Sequence, residues 1–161
     1  MASSELTRIL DQLEREHEGD PWHGSPLRAI LDGVDAAQAS RKPVPDAHSI
    51  WELVLHMTGW KREVTRRLTG APAGEPAEGD WPDPGQPSAE RWQSALAALE
   101  TAHRDLGAKI SSLTEDQLLQ PTNDPRNRPL GTGVSYYVLL HGIVQHDVYH
   151  AGQIALLMKA R

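Results

Sequence analysis

The stretch that decides the fold is VSYYVLLHGIVQHDVYHAGQIALLMKA, residues 134–160. It holds no proline and no strand-like alternation. A rotation of roughly 100° per residue puts Leu139, Ile143, His146, His150, Gln153, Ile154 and Leu157 in one sector of a helix. The spacing predicts a helix from about Val134 to Lys159, with two imidazoles one turn apart inside the stripe that faces the core.

Three further amphipathic segments match it. From Ser4 to Glu18, Leu6, Ile9, Leu10 and Leu13 recur at helical spacing, and Gly19, Asp20 and Pro21 close the segment. SIWELVLHMTGWKREVTRRL starts with a capping box, Ser49 and Glu52, and aligns Ile50, Leu53, Met57, Trp60, Val64 and Leu68. That predicts a helix over about 50–69. Ser88 can cap another, in which Trp92, Leu96, Leu99, His103, Leu106, Ile110 and Leu113 form a seam.

Shorter pieces fill the gaps: a short helix with Ser25 as cap, Pro26 in its first position and Leu27, Ile30, Leu31 and Val34 facing inward, and a capped turn over 114–120. Residues 70–87, GAPAGEPAEGDWPDPGQP, carry five prolines and four glycines and read as a loop. Trp81, its one large apolar group, is read as an anchor of the crossover, with a lid over a cavity as the alternative. Residues 121–133 form a second proline-rich connection. With no strand alternation or fixed-period repeat, the pattern specifies an all-α chain, a four-helix bundle in one domain over 1–161.

Composition limits the function. The 161 residues are 39% apolar and 24% charged, with a mean hydropathy of −0.51. No apolar run reaches the ~18 residues of a membrane span, and the N-terminus lacks a signal-peptide core, so a cytoplasmic protein is expected. A net charge of −6 gives no general attraction to nucleic acid or anionic lipid. The one basic group, Lys61, Arg62, Arg66 and Arg67, is read as a solvated helix face.

Cysteine is absent and histidine occurs eight times. Disulfides, thiolate metal sites and cysteine nucleophiles are therefore excluded, and histidine is left to carry metal or acid–base chemistry. Chance alone supplies about 0.4 histidine pairs at i, i+4 in such a chain, so placement matters more than spacing. Adjacent imidazoles in an apolar stripe need hydrogen-bond partners or a shared cation, and Cβ atoms roughly 5–6 Å apart allow both rings to reach one ion.

His56, on the edge of the buried face of the second long helix, is the candidate third ligand to His146 and His150. Three imidazoles with open positions are a catalytic rather than a structural type of metal site. Gln153 is placed to hydrogen-bond a bound water or substrate. Asp147, Tyr149 and Glu52 are candidates to fix imidazole tautomers. His103 is read as a core residue or a fourth ligand, and His23 as structural or lining the mouth of the site. His17, His48 and His141 are read as surface or capping residues.

Three stretches, DPWHGSPLRAILDGV (20–34), HSIWELVLHMTGWKREVTRRLTG (48–70) and LLHGIVQHDVYHAGQIALLMK (139–159), resemble the DinB-like superfamily, specifically its YfiT-type branch of metal-dependent hydrolases. The resemblance implies an up-down-down-up bundle, a homodimer, and a nickel or zinc ion held by His56, His146 and His150. The superfamily also contains S-transferases and isomerases that use low-molecular-weight thiols.

The expected activity is that of a divalent-metal enzyme acting on a small-molecule substrate, either a hydrolase or an S-transferase with a thiol cosubstrate. No glutamate is placed as in HExxH, which favours the thiol, whereas the resemblance favours the hydrolase. A non-enzymatic metal-binding module is the alternative, and a metal-free polar core of the three histidines a third reading.

Overall fold

The computed structural model describes residues 4–125 and 134–160; the 126–133 part of the expected 121–133 connection lies outside them. The described residues form α1 (Glu5–His17), α2 (Leu27–Leu31), α3 (Ala36–Ser40), α4 (Ile50–Arg67), α5 (Ala89–Ser111), α6 (Glu115–Leu118) and α7 (Tyr136–Leu157). All of the regular elements among the described residues are helices, and none of these is long and apolar enough to cross a membrane.

The helix starts follow local chemistry. The side chains of Ser4, Ser49, Ser88 and Ser135 accept hydrogen bonds from backbone N–H groups in the first turns of α1, α4, α5 and α7. Each satisfies a donor that the helix itself cannot. At α4 the capping box is complete, because the Glu52 carboxylate accepts from the Ser49 N–H at 2.7 Å.

Two expectations are corrected. Helix α2 is capped by Pro26, with no side-chain cap bond, and ends at Leu31, short of Val34. Gly33 then adopts φ 76°, which breaks the run. A short helix, α3, follows, started by Asp35 accepting from the Gln38 N–H.

Helix α4 packs against α5 and α7, and α1 packs against the same two. The apolar interior has two parts. One gathers Leu53, Met57, Trp92, Leu99, Ala151 and Ile154. The other gathers Ile9, Leu13, Val64, Leu106, Leu140 and Ile143. Trp92 also pins α5 to the segment after α2 by donating from its indole to the Val34 carbonyl.

A buried polar layer lies between the two parts. Lys61 falls between Met57 and Val64 on α4, His103 between Leu99 and Leu106 on α5, and Asp147 between Ile143 and Ala151 on α7. Glu16 and His17 join them from the end of α1. The Lys61 ammonium pairs with the Asp147 carboxylate, both fully buried, and lies 3.7 Å from Glu16 Oε1 and 3.5 Å from His103 Nδ1.

This layer overturns two readings of single residues. Lys61 is fully enclosed and Arg67 is buried with Glu63, whereas a solvated basic face was expected. His17 is also buried and stacks on His103 with ring centroids 3.7 Å apart. Burial and then the Asp147 charge push the Glu16 carboxyl up to about 9, so Glu16 carries a proton at neutral pH. Burial also opposes ionisation of Asp147, but Lys61 outweighs it and holds that carboxyl down. The layer thus balances one ammonium against one carboxylate.

A candidate metal centre

His56 comes from the middle of α4, and His146 and His150 come from successive turns of α7. Their ligand nitrogens all lie within 4.8 Å of one another, and His56 and His150 are buried. The three imidazoles singled out from sequence are therefore together in space.

Two of the rings are held through Nδ1. His56 Nδ1 donates to the Asp80 carbonyl at 2.7 Å, and His150 Nδ1 donates to Gln153 Oε1 at 2.6 Å. Each bond places the proton on Nδ1 and leaves an Nε2 lone pair facing inward. Burial lowers the pKa of His56, and burial also pushes His150 down to about 4, so both rings are neutral at pH 7.

The third ring tests whether a cation fits. His146 Nε2 lies 3.0 Å from His56 Nε2. If His146 bridges this gap with its own Nε2 proton, its Nδ1 becomes a bare acceptor beside another acceptor, Asp147 Oδ1, at 3.6 Å. Both atoms are buried without a hydrogen-bond partner. His56, His146 and His150 would hold a divalent ion without this conflict, since the His146 proton would then sit on Nδ1 and face the Asp147 carboxylate. The 3.0 Å between His56 Nε2 and His146 Nε2 would let those two nitrogens share one ion. The donor set is compatible with a divalent metal.

The 70–87 loop supplies the cover. Gly59 lets it lie close on α4: a Cβ there would stand 3.1 Å from Pro76 Cβ. The Glu63 carboxylate accepts from the Gly74 N–H at 3.0 Å. Farther along, Asp80 accepts from His56 through its carbonyl and from the Trp60 indole through its carboxylate, at 2.7 Å. Trp81 stacks between His56 and His48, with centroid distances of 3.9 and 3.4 Å. The anchor and lid readings of Trp81 thus meet in one contact. His146 has the most open side chain of the three, 26% exposed, so the approach is from its side.

The other candidates fall elsewhere. Gln153 spends its carbonyl oxygen on His150, which leaves its amide nitrogen to meet a bound molecule. Glu52 is committed to the α4 cap and to Lys42. Tyr149 is exposed, its ring 5.1 Å from that of His150. His23 is exposed. His103 belongs to the buried layer, where Glu16, His17 and His103 form a second group with ligand spacing. The Lys61 ammonium already provides the positive charge there.

Sequence reasoning did not assign Asp80, and read His48 as a surface or capping residue rather than as a support of Trp81. Asp80 adjoins Trp81, and that tryptophan in a Pro/Gly loop was the only local signal for either.

No curated protein and no solved structure gives a significant match. The profile of the DinB superfamily matches residues 22–154, a span containing all three imidazoles, their Nδ1 partners and the loop that covers them. The chain belongs to the DinB superfamily.

Proposed function

We propose that this chain is a divalent-metal enzyme of the YfiT-like type, with His56, His146 and His150 as metal ligands and a small molecule as substrate. The observation that carries the reading is the trio itself: two neutral rings fixed through Nδ1 and a third whose buried Nδ1 lacks a partner until a cation is bound. A bound ion would lower the pKa of a nucleophile and polarise an electrophile. The protein orients the rings through Asp80, Gln153 and Asp147, excludes water on one side with Trp81, and leaves the His146 side open.

The distribution of carboxylates favours a thiol nucleophile over water. Asp80 is bonded to Trp60 and lies 3.2 Å from His56, and Asp147 is paired with Lys61. Neither is free to take a proton from attacking water, whereas a thiol can arrive already ionised. Because cysteine is absent, that thiol must come with a low-molecular-weight cosubstrate. A non-enzymatic metal-binding module remains the alternative, favoured by the burial of two ligands.

The core also supports an up-down-down-up four-helix bundle in a single domain. Along α4 and α5 the residues of the first apolar part precede those of the second, and along α7 the order is reversed. Parallel neighbours need a crossover that spans their length, which the 70–87 loop supplies. A homodimer is the assembly proposed for this bundle.

The functional test is a screen of metal-loaded protein for thiol conjugation and for hydrolysis. Thiol-dependent turnover that His56→Ala abolishes, with helicity retained, supports the reading. Turnover that persists in His56→Ala overturns the assignment of the site.

A further inference from the structure

A cavity of about 310 Å³ lies beside the metal centre, between the segment that precedes α4 and the end of α7. Val44, Leu53, Leu156 and Leu157 make its walls apolar, and Asp46, His48 and Gln153 are the polar groups on it. Two of these touch the centre's supports: Gln153 holds His150, and the His48 ring stacks on Trp81.

The entrance turn is unusual. Ala47 N–H donates to the Val44 carbonyl at 3.2 Å, and Asp46 has φ 60°. Proline at the second position and a positive φ at the third describe a type II turn, in which glycine or asparagine normally takes the third place. Asp46 is the only non-glycine residue with positive φ among the described residues, and its carboxylate has no partner among them. The cavity therefore has apolar walls, one unpaired negative charge, and a Gln153 amide N–H group free toward a ligand.

We propose that this cavity binds a small alkylammonium ion, with the ammonium at Asp46 and the alkyl chain against Val44, Leu53, Leu156 and Leu157, ending on the Gln153 side. Binding there does not depend on the metal-centre reading. The volume, at the small end for ligand sites, suits a short aliphatic chain rather than a large ring system. The charge on the wall and the net acidity of the chain select a cation over a carboxylate.

The test is an NMR titration of the full-length protein at neutral pH with n-hexylamine, which is protonated there, alongside hexanol and hexanoate. Hexylammonium is expected to shift the Gln153 side-chain amide and the Leu156 methyls saturably, with hexanoate about tenfold weaker. Asp46→Asn reduces hexylammonium affinity about threefold to fivefold, toward that of hexanol. Leu156→Trp fills the cavity from an exposed position, so it leaves the fold and metal content unchanged and abolishes binding of all three.

Equal affinity for hexanoate, binding that survives Leu156→Trp, or no saturable shift with any probe overturns the proposal. Metal content is measured on the same samples. Wild-type protein that takes up no metal yet binds hexylammonium sinks the metal reading and leaves the cavity assignment standing.

Discussion

Replacing Lys61 by methionine removes the ammonium at the centre of the buried layer while keeping an unbranched chain of similar length. The side chains of Lys61 and Asp147 are both 0% exposed, so no water replaces the lost partner. Breaking such a pair costs about 3–5 kcal/mol, or about 10–15 °C in melting temperature for a chain of this size. Asp147 then escapes its unpaired charge by taking up a proton, which raises its folded pKa above the unfolded value of 3.8. Wild type gains stability from its depressed Asp147 pKa as pH rises from about 2 to 3.8, and Lys61→Met loses stability above 3.8, so the deficit of Lys61→Met is smallest near pH 2 and grows from there toward neutral pH.

Urea titrations at several pH values measure this directly. Lys61→Met/Asp147→Leu recovers most of the stability, because a buried pair can be replaced by apolar groups at little cost. It does not recover metal affinity, which stays about 10–100-fold low because His146 has lost the carboxylate facing its Nδ1. A Lys61→Met protein within about 1 kcal/mol of wild type at pH 7 would refute the description of the layer. So would a double variant with wild-type metal affinity.

Glu16→Gln should be more stable than wild type, increasingly so from about pH 4.5 to about pH 9. The folded state holds the Glu16 proton up to about 9 while the unfolded chain releases it near 4.5; coincident urea midpoints across that range would contradict the assignment. Burial pushes His17 and His103 down to about 4 and about 3, so both favour the folded state above the ordinary imidazole pKa. Stability should fall as pH drops from about 6.5 toward 3, and His103→Gln should flatten that slope. Trp81→Ala should leave stability within about 1–2 kcal/mol of wild type, since the ring is 37% exposed, yet expose His56. Faster modification of His56 by diethylpyrocarbonate, located by peptide mass, is the expected result, and an unchanged rate would show that Trp81 does not cover the ring.

How much of this was legible in the sequence follows the range of each signal. The caps at Ser49 and Ser88, the capping box at Ser49 and the i, i+4 pair His146 and His150 are local and appear as read, whereas the cap read at Ser25 falls on Pro26. His56 was legible because its helix face is also marked by Leu53 and Trp60. Lys61 was not, since its burial depends on Asp147, 86 positions away, and a lysine among arginines reads as a solvated face. His17 was misread for a similar reason, because the end of a helix is normally exposed and here it stacks on His103. Asp80 and His48 acquire roles only when the 70–87 loop folds back over α4, a path that Gly59 permits and composition does not announce.

The central claim is that His56, His146 and His150 jointly hold one divalent ion, and metal uptake by equilibrium dialysis, read by elemental analysis, tests it most directly. Wild-type protein should bind about one nickel or zinc ion per chain, and His56→Ala, His146→Ala and His150→Ala should each lower affinity by at least about 100-fold, beyond the loss from an outer-shell change. His103→Ala, in the layer already supplied with an ammonium, should keep full stoichiometry. Retention of tightly bound metal in His150→Ala, or its loss in His103→Ala alone, would contradict the account.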